Sequence, residues 1–295
     1  MSGGIEALPW RGPGGGRPEL PLPPAEMPLR FAGGWRKRWR YASAFGEELM
    51  VCAARVQVGL THQTFWAIWD RERRELHERT RLRVPWARGE VWDEGWTLGS
   101  PGPGPTTRIE AAGVQASLRT GDGVWAESVC PTPAGAYAWT RKRVAPVEVD
   151  VELPGGRRVR ASMRGVEDES AGYHPRHTVW SWSAGVGVAA DGRAVGWNLV
   201  EGVNDPPEGS ERAIWVEGEE APREPGPVAF EGLDAIRFGD GSRLEFAGEA
   251  ERARRENKLV VRYAYRQPFG TFSGNLAGIE LREGVGVMEH HDAIW

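Results

Sequence analysis

The sequence predicts an all-β protein of two antiparallel sheets or barrels, divided near residue 145. Three observations carry that expectation. Apolar residues recur with a period of two after residue 30, which is the period of a strand with one buried face. Gly (40) and Pro (22) are frequent enough to close many short strands with turns, yet fall short of a low-complexity composition. Helical stripes are almost absent, and only Gly248 to Lys258 offers a short helical turn. At 295 residues the chain has room for two ordinary domains, each with its own core.

Residues 1–28 are rich in Gly and Pro and carry no periodicity, so they read as a flexible leader. From Trp35 the alternation sets in: Trp35, Lys37, Trp39 and Tyr41 share one parity, and Met50, Cys52, Ala54, Val56 and Val58 share one face. Gly46-Glu47 and Leu60-Thr61 are turns, Phe65 to Trp69 is a third strand, and the charged run Asp70 to Arg74 reverses the chain. Connections this short imply an antiparallel meander. Gly99 to Pro105 is a loop, and Arg141 to Asp150 reads as a strand bridging the halves 29–145 and 146–295. Pro154-Gly155-Gly156 closes a further hairpin, and Glu167-Asp168-Glu169-Ser170 reads as a solvated turn.

The most informative stretch is His177 to Val188, followed by Asp191-Gly192 and Val195 to Glu201. Asp-Gly between alternating segments predicts a two-residue hairpin loop, which pairs Val188 with Val195, Val186 with Trp197, Ala184 with Leu199 and Trp182 with Glu201. One face is then bulky and apolar with an acid at its end, and burial there would raise the Glu201 pKa. The other face, with Gly185, Gly187 and Gly196, is stripped of side chains and leaves room for another backbone or a ligand.

Composition narrows the chemistry. A net charge of −4 without long single-sign blocks disfavours a nucleic-acid footprint or a polybasic membrane anchor. No signal-peptide pattern or long apolar run is present, which predicts a soluble, cytoplasmic protein without a transmembrane segment. Cys52 and Cys130 make neither a disulfide framework nor a metal knuckle, and Cys52, in phase with Val56, reads as a buried structural thiol. Gly185-x-Gly187-x-x-Ala190 matches a dinucleotide fingerprint only formally, because a hairpin follows it where a helix is required. Gly12 to Gly16 lacks the P-loop lysine, and Ser273 lacks the glycine of a nucleophile elbow. No cofactor and no metal are expected.

The 15 tryptophans are the outstanding compositional feature, and they serve either core packing or an aromatic-lined pocket. Histidines gather in Tyr173-His174-Pro175-Arg176-His177 and in Glu289-His290-His291-Asp292. The candidates for acid–base work are His177, Glu201, Glu289 and His291. The candidates for ligand contact are Tyr173, Arg176, Trp180, Trp182, Trp197, Asn198 and Trp295. Trp295 is expected to dock and hold Glu289 and His291 near the first histidine group.

Trp197 to Asp205, Ser210 to Val216, Tyr265 to Gly274 and Gly286 to Trp295, together with Phe45 to Arg71, resemble the bacterial and fungal family catalogued as domain of unknown function 2804. More distantly, the Trp-rich strands resemble the tandem lipocalin-like proteins that include carotenoid hydratases and tocopherol cyclases. That likeness implies two consecutive barrel-like, calycin-type domains with a ligand in a barrel mouth or between the domains. Three functions follow for weighing. A binder of a small apolar, lipid- or terpenoid-like molecule needs only the pocket. An enzyme of hydratase, cyclase or isomerase type adds a proton donor and a cation-stabilising aromatic wall. A structural or partner-binding module needs packing alone.

Overall fold

A computed structural model of the chain describes residues 5–6, 8–12, 16–83, 89–102, 104–133, 135–258 and 261–294. Among the described residues there is no helix, and therefore none long and apolar enough to cross a membrane. The strands form two large antiparallel sheets. The first runs in space Glu75–Arg83, Thr61–Asp70, Leu49–Val58, Lys37–Phe45, Arg158–Gly172, Ala136–Glu152, Val114–Thr120, Thr106–Ala111, Val91–Glu94. The second runs Ala213–Val216, Ala194–Glu201, His177–Ala189, Ile279–Ile294, Val261–Leu276, Arg243–Lys258, Ala235–Phe238, Val228–Glu231.

Each sheet curls on itself. Val91–Glu94 returns over Leu49–Val58 and Thr61–Asp70, where Arg55 Nη1 donates to Asp93 Oδ2 at 3.3 Å. In the second sheet Val228–Glu231 returns to Ala194–Glu201, and the Phe230 amide donates to Glu201 Oε2 at 3.0 Å. Strand alternation then sends side chains to two different cores. Ala53, Trp66 and Ile68 fill the first curl with Val91, Leu118 and Val149. Trp197, Phe272 and Met288 fill the second. Their sequence neighbours Cys52, Ala54 and Ala67 point the other way and pack with Trp182, Ala184 and Phe269, so the two curls stand back to back. Burial on both faces explains why Leu49 to Ala54 reads as an unbroken apolar run.

Several sequence expectations change in the folded chain. Residue 145 lies inside the continuous strand Ala136–Glu152, and the chain passes from one sheet to the other between Gly172 and His177. Gly248 to Lys258 belongs to the strand Arg243–Lys258 and forms no helical turn. The leader is docked over its described residues. Leu22 and Met27 are buried with Tyr137 and Trp139, the Tyr137 hydroxyl donates to the Pro21 carbonyl at 3.0 Å, and Trp10–Arg11 pairs with Ala126–Thr132.

The acidic run Glu167-Asp168-Glu169 is no solvated turn but a buried piece of Arg158–Gly172, paired in register with Arg141, Lys142 and Arg143 of the neighbouring strand. Arg143 Nε donates to Glu167 Oε2 at 2.7 Å and Arg141 Nε to Glu169 Oε2 at 2.8 Å, both on the inner side of the first curl. Arg40 joins them, bonded to Glu167 and to Asp93 Oδ1 at 2.7 Å. Lys142 and Asp168 pair on the opposite side, toward the second sheet.

The Asp191-Gly192 hairpin forms with a different register. Its loop has three residues, Ala190-Asp191-Gly192: the Gly192 amide donates to the Ala189 carbonyl at 2.9 Å, and Gly192 takes φ +91 as a left-handed bulge. The extra residue shifts every pair by one, so Val186 faces Gly196, Gly185 faces Trp197, and Glu201 faces Ser181. Trp197 therefore lies on the face opposite to Trp182, and the bulky face that the sequence predicted does not exist.

Candidate functional site

A cleft of about 130 Å³ lies between the two curls. On the first sheet the odd-numbered residues of Lys37–Phe45 look into it, which brings Lys37, Trp39 and Tyr41, joined by Ala54, Val56 and Phe65 from the next two strands. From the second sheet come Trp180, Trp182, Val200, Arg252, Tyr265, Gln267, Glu289 and His291. The aromatic rings are mutually fixed. Tyr41 meets Trp182 edge to face at 5.2 Å, Trp39 stacks with His174 at 5.5 Å, and Trp180 stacks with His291 at 4.1 Å.

Two polar groups interrupt this apolar lining. In the first, Glu289 accepts from the Trp180 indole N–H at 3.0 Å and from Gln267 Nε2 at 2.6 Å, with His291 Nδ1 3.7 Å from the same carboxylate. Gln267 in turn accepts from Arg252 Nη1 at 3.0 Å, and Arg252 Nη2 donates to the Tyr265 hydroxyl at 2.9 Å. Arg252 Nη2 also donates to Thr80 Oγ1 at 3.3 Å, Glu78 lies 3.6 Å from Nε, and the guanidinium is 4.0 Å from the Phe65 ring centre, so a fully buried cation is held by three acceptors, a nearby carboxylate and aromatic faces.

The second group is built on Lys142, which is ion-paired with Asp168 and stands 3.5 Å from Glu211. Asn204 Nδ2 donates to Glu211 Oε2 at 2.9 Å, and Asn198 links the group to the aromatic wall by accepting from the Trp182 indole at 2.8 Å and donating to the Glu211 carbonyl at 3.1 Å. Burial pushes the Asp168 and Glu211 carboxyls up, and the shared Lys142 ammonium pulls both back only in part. Burial likewise lowers Lys37, whose Nζ donates to the Pro175 carbonyl at 2.7 Å, to about 7. His174 falls to about 3, first through burial and then through the neighbouring Lys37 and Lys142 charges, and remains a neutral imidazole.

Of the residues singled out from sequence, Trp180, Trp182, Glu289 and His291 line this cleft, and Asn198 supports it from behind. The two histidine groups do meet, because Ile279–Ile294 pairs with His177–Ala189, but His291 and His174 are the members that reach the cleft. His177 is exposed and bonded to Asp292 Oδ1 at 2.9 Å, and Arg176 is exposed. Tyr173 packs with the leader and donates to the Pro28 carbonyl at 2.7 Å. Trp197 is buried in the second curl, edge to face with Phe272 at 4.9 Å. Glu201 holds the Phe230 amide and does not line the cleft. Trp295 lies outside the described residues.

Lys37, Trp39, Tyr41, Asp168, Glu211, Arg252, Tyr265 and Gln267 are not among the residues that the sequence singles out, and His174 enters there only as a member of the first histidine group. For Trp39 and Tyr41 a signal existed, since they share a parity with Lys37; for the buried acids none did, because their cations come from another strand. Cys52 and Cys130 are buried free thiols, and among the described residues no group of three or more His, Cys, Asp or Glu is arranged to hold a metal ion.

Two curled antiparallel sheets standing back to back, with an aromatic cleft between them, define a lipocalin-like β protein of the tandem type. Residues 128–295 match the family described as Domain of unknown function (DUF2804), and the chain belongs to that family. Its fold is similar to that of a protein assigned as AttH from Nitrosomonas europaea, with a TM-score of 0.50 at 13% identity over 92% of this chain and 98% of that one. Kievitone hydratase from Nectria haematococca is likewise similar, with a TM-score of 0.53 at 11% identity over 88% of this chain and 89% of that one. No curated protein matches the chain by sequence.

Proposed function

We propose that the protein binds a small, largely apolar molecule of the lipid or terpenoid type, carrying at least one oxygen function, in the cleft between its two sheets. The observation that carries this reading is the lining itself: Trp39, Tyr41, Phe65, Trp180 and Trp182 enclose the cleft, and the polar side chains that enter it include Lys37, His174 and members of the Glu289 and Lys142 groups. Ligand sites have this composition, apolar walls with a few convergent polar groups that fix orientation. A volume of about 130 Å³ accommodates a ring-sized apolar body without rearrangement.

Tryptophan fluorescence titrations with retinol, farnesol and palmitate test the reading. Saturable quenching by at least one of them is expected, weakened tenfold or more, about 1.4 kcal/mol, by Val203→Phe, which fills the cleft from a partly buried position. Absence of saturable quenching, with no small molecule carried through purification in native mass spectrometry, would overturn it.

A second reading, acid–base catalysis of hydratase or isomerase type, is favoured by one arrangement. Asp168 and Glu211 share the single Lys142 ammonium in a buried site, and a carboxylic acid that keeps its proton beside an aromatic wall is a proton donor to an alkene. Kievitone hydratase, with its similar fold, adds water to its substrate as its name states. Incorporation of ¹⁸O from water into farnesol, lost in Glu211→Gln, distinguishes this reading from binding alone.

A further inference from the structure

A second cavity, of about 390 Å³, lies on the other face of the same strands, inside the mouth of the first curl. Trp39, Val56 and Gln63 contribute to both cavities and form the partition between them. The chemistry of the second is different. The even-numbered side of Lys37–Phe45 brings in Arg38 and Arg40, Arg36 lies just before that strand, and Arg55 joins from the neighbouring strand opposite Arg40. Among the described residues, Glu26 is the one acid in the lining.

These arginines are not equally committed. Arg40 bonds Asp93, Thr107 and Glu167 through its two terminal nitrogens and acts as a buried strut. Arg55 touches the same Asp93 through one nitrogen at 3.3 Å and keeps a third of its side chain exposed. Arg38 is bonded through Nε to Gln57, which leaves its terminal nitrogens pointing away from that partner, and Arg36 bonds the Met27 carbonyl through Nη1. Burial and then the charges of Arg36 and Arg55 lower the Arg38 pKa, with Glu26 opposing them, so this guanidinium stands where arginines outnumber the acid beside it.

The walls are built and held. Glu169 pins the loop over the cavity by accepting from the Trp96 indole at 2.8 Å and from the Gly99 amide at 2.9 Å. Gly99, at φ +80, packs so closely on Pro23 that a Cβ would fall 2.7 Å from it, which seats the docked leader as the opposite wall. Trp96 presents its ring to Arg55, 5.8 Å from ring centre to guanidinium carbon.

We propose that this cavity is a binding site for a small molecule bearing a multivalent oxyanion, a phosphate or polycarboxylate group, which Arg38 and Arg55 grip with Arg36 at the rim. Planar guanidinium forks match the oxygen spacing of such anions and grip them bidentately. An excess of arginines over acids in a partly enclosed site is the environment that concentrates them. The site is independent of the apolar cleft, which lies across the sheet.

Isothermal titration of the full chain with pyrophosphate and with citrate, at an ionic strength of about 50 mM, tests the site. At least one of the two is expected to bind with a Kd below about 1 mM and to weaken as salt rises. Binding of pyrophosphate alone assigns a phosphate ligand, and binding of citrate alone a polycarboxylate. Arg38→Gln and Arg55→Gln should each weaken binding tenfold or more, whereas the exposed Arg282→Gln leaves it unchanged. Arg38→Lys, which keeps charge without the fork, should fall between, and it remains informative if a glutamine variant fails to fold. No binding of either anion by the wild type, or equal binding by wild type and the Arg38 and Arg55 variants, overturns the proposal. Neither result bears on retinol quenching, so the two sites fail or stand separately.

Discussion

The Trp197 indole lies directly over Gly185, its partner on the neighbouring strand, so closely that a Cβ built on the glycine would fall 2.2 Å from Trp197 Cζ2. The indole N–H then reaches Ser183 Oγ at 3.1 Å, and the ring fills the second curl. Gly185→Ala should therefore overpack a buried wall and destabilise the protein by about 1–3 kcal/mol. In a thermal melt that is a fall of roughly 2–4 °C per kcal/mol. Made in a Trp197→Leu background, the same change should have much less effect, because the clash is with the indole. Equal effects in both backgrounds would contradict the arrangement.

Period-two alternation is enough to predict strands, the meander from Trp35 to the charged run Asp70 to Arg74, and the parity that Trp39 and Tyr41 share. The tryptophan-rich strand and the clustering of histidines point to Trp180, Trp182, Glu289 and His291, which line the cleft. Register was harder to read, because Asp-Gly suits both a two-residue loop and a three-residue loop ending in a left-handed glycine; the second forms, and the single extra residue carries Trp197 and Glu201 to the other side. Buried charge was illegible for a different reason. Glu167, Asp168 and Glu169 look like a solvated turn until Arg40 and residues 141–143 are brought alongside, and that juxtaposition is a property of the sheet and not of either segment.

Glu167 is the acid of that ladder that two arginines share, since Arg40 and Arg143 both bond it and all three are nearly fully buried. Removing its charge leaves two buried guanidiniums short of an anion, a loss of about 3–5 kcal/mol for a broken buried pair. Glu167→Gln is expected to unfold at a markedly lower urea midpoint with an unchanged slope. Asp150→Asn, which removes an exposed pair with Arg158 on the neighbouring strand, should shift the midpoint little. Similar midpoints for the two variants would show that the buried ladder contributes no more than the surface pair.

His174 makes the protein sensitive to acid. Its pKa falls from the usual 6.5 to about 3 in the folded chain, so between those values the unfolded chain binds a proton that the folded chain does not. Its contribution to stability is thus intact above pH 6.5 and is lost progressively as pH falls toward 3. His174→Phe retains a ring against Trp39 and removes the titration. Between pH 7 and pH 4.5 the wild type should lose about 2–3 kcal/mol relative to this variant, read from urea melts at each pH. Parallel pH dependences would mean that the imidazole protonates without opposing the fold.

Trp180, Glu289, Gln267 and Arg252 form a hydrogen-bond chain in which each link joins a donor to an acceptor: the indole N–H and the Gln267 amide both donate to Glu289, and Arg252 donates to the Gln267 oxygen. Glu289→Gln keeps the shape but replaces one acceptor with an NH₂ group. If that group faces Gln267, two amide donors confront each other; if Gln267 turns over to accept, its own NH₂ then confronts Arg252. One unmatched donor pair survives in either orientation, at about 1–3 kcal/mol in a buried site. Adding Gln267→Glu restores the match, because a carboxylate at 267 accepts from Arg252 on one side and from the new amide at 289 on the other. The double variant Glu289→Gln/Gln267→Glu is therefore expected to regain more than half of the melting temperature lost by Glu289→Gln alone, and to recover the Trp180 emission that the single variant perturbs. A double variant less stable than the single one would show that the charge must sit at 289 itself, beside His291 at 3.7 Å, and that hydrogen-bond matching is not what holds this wall of the cleft.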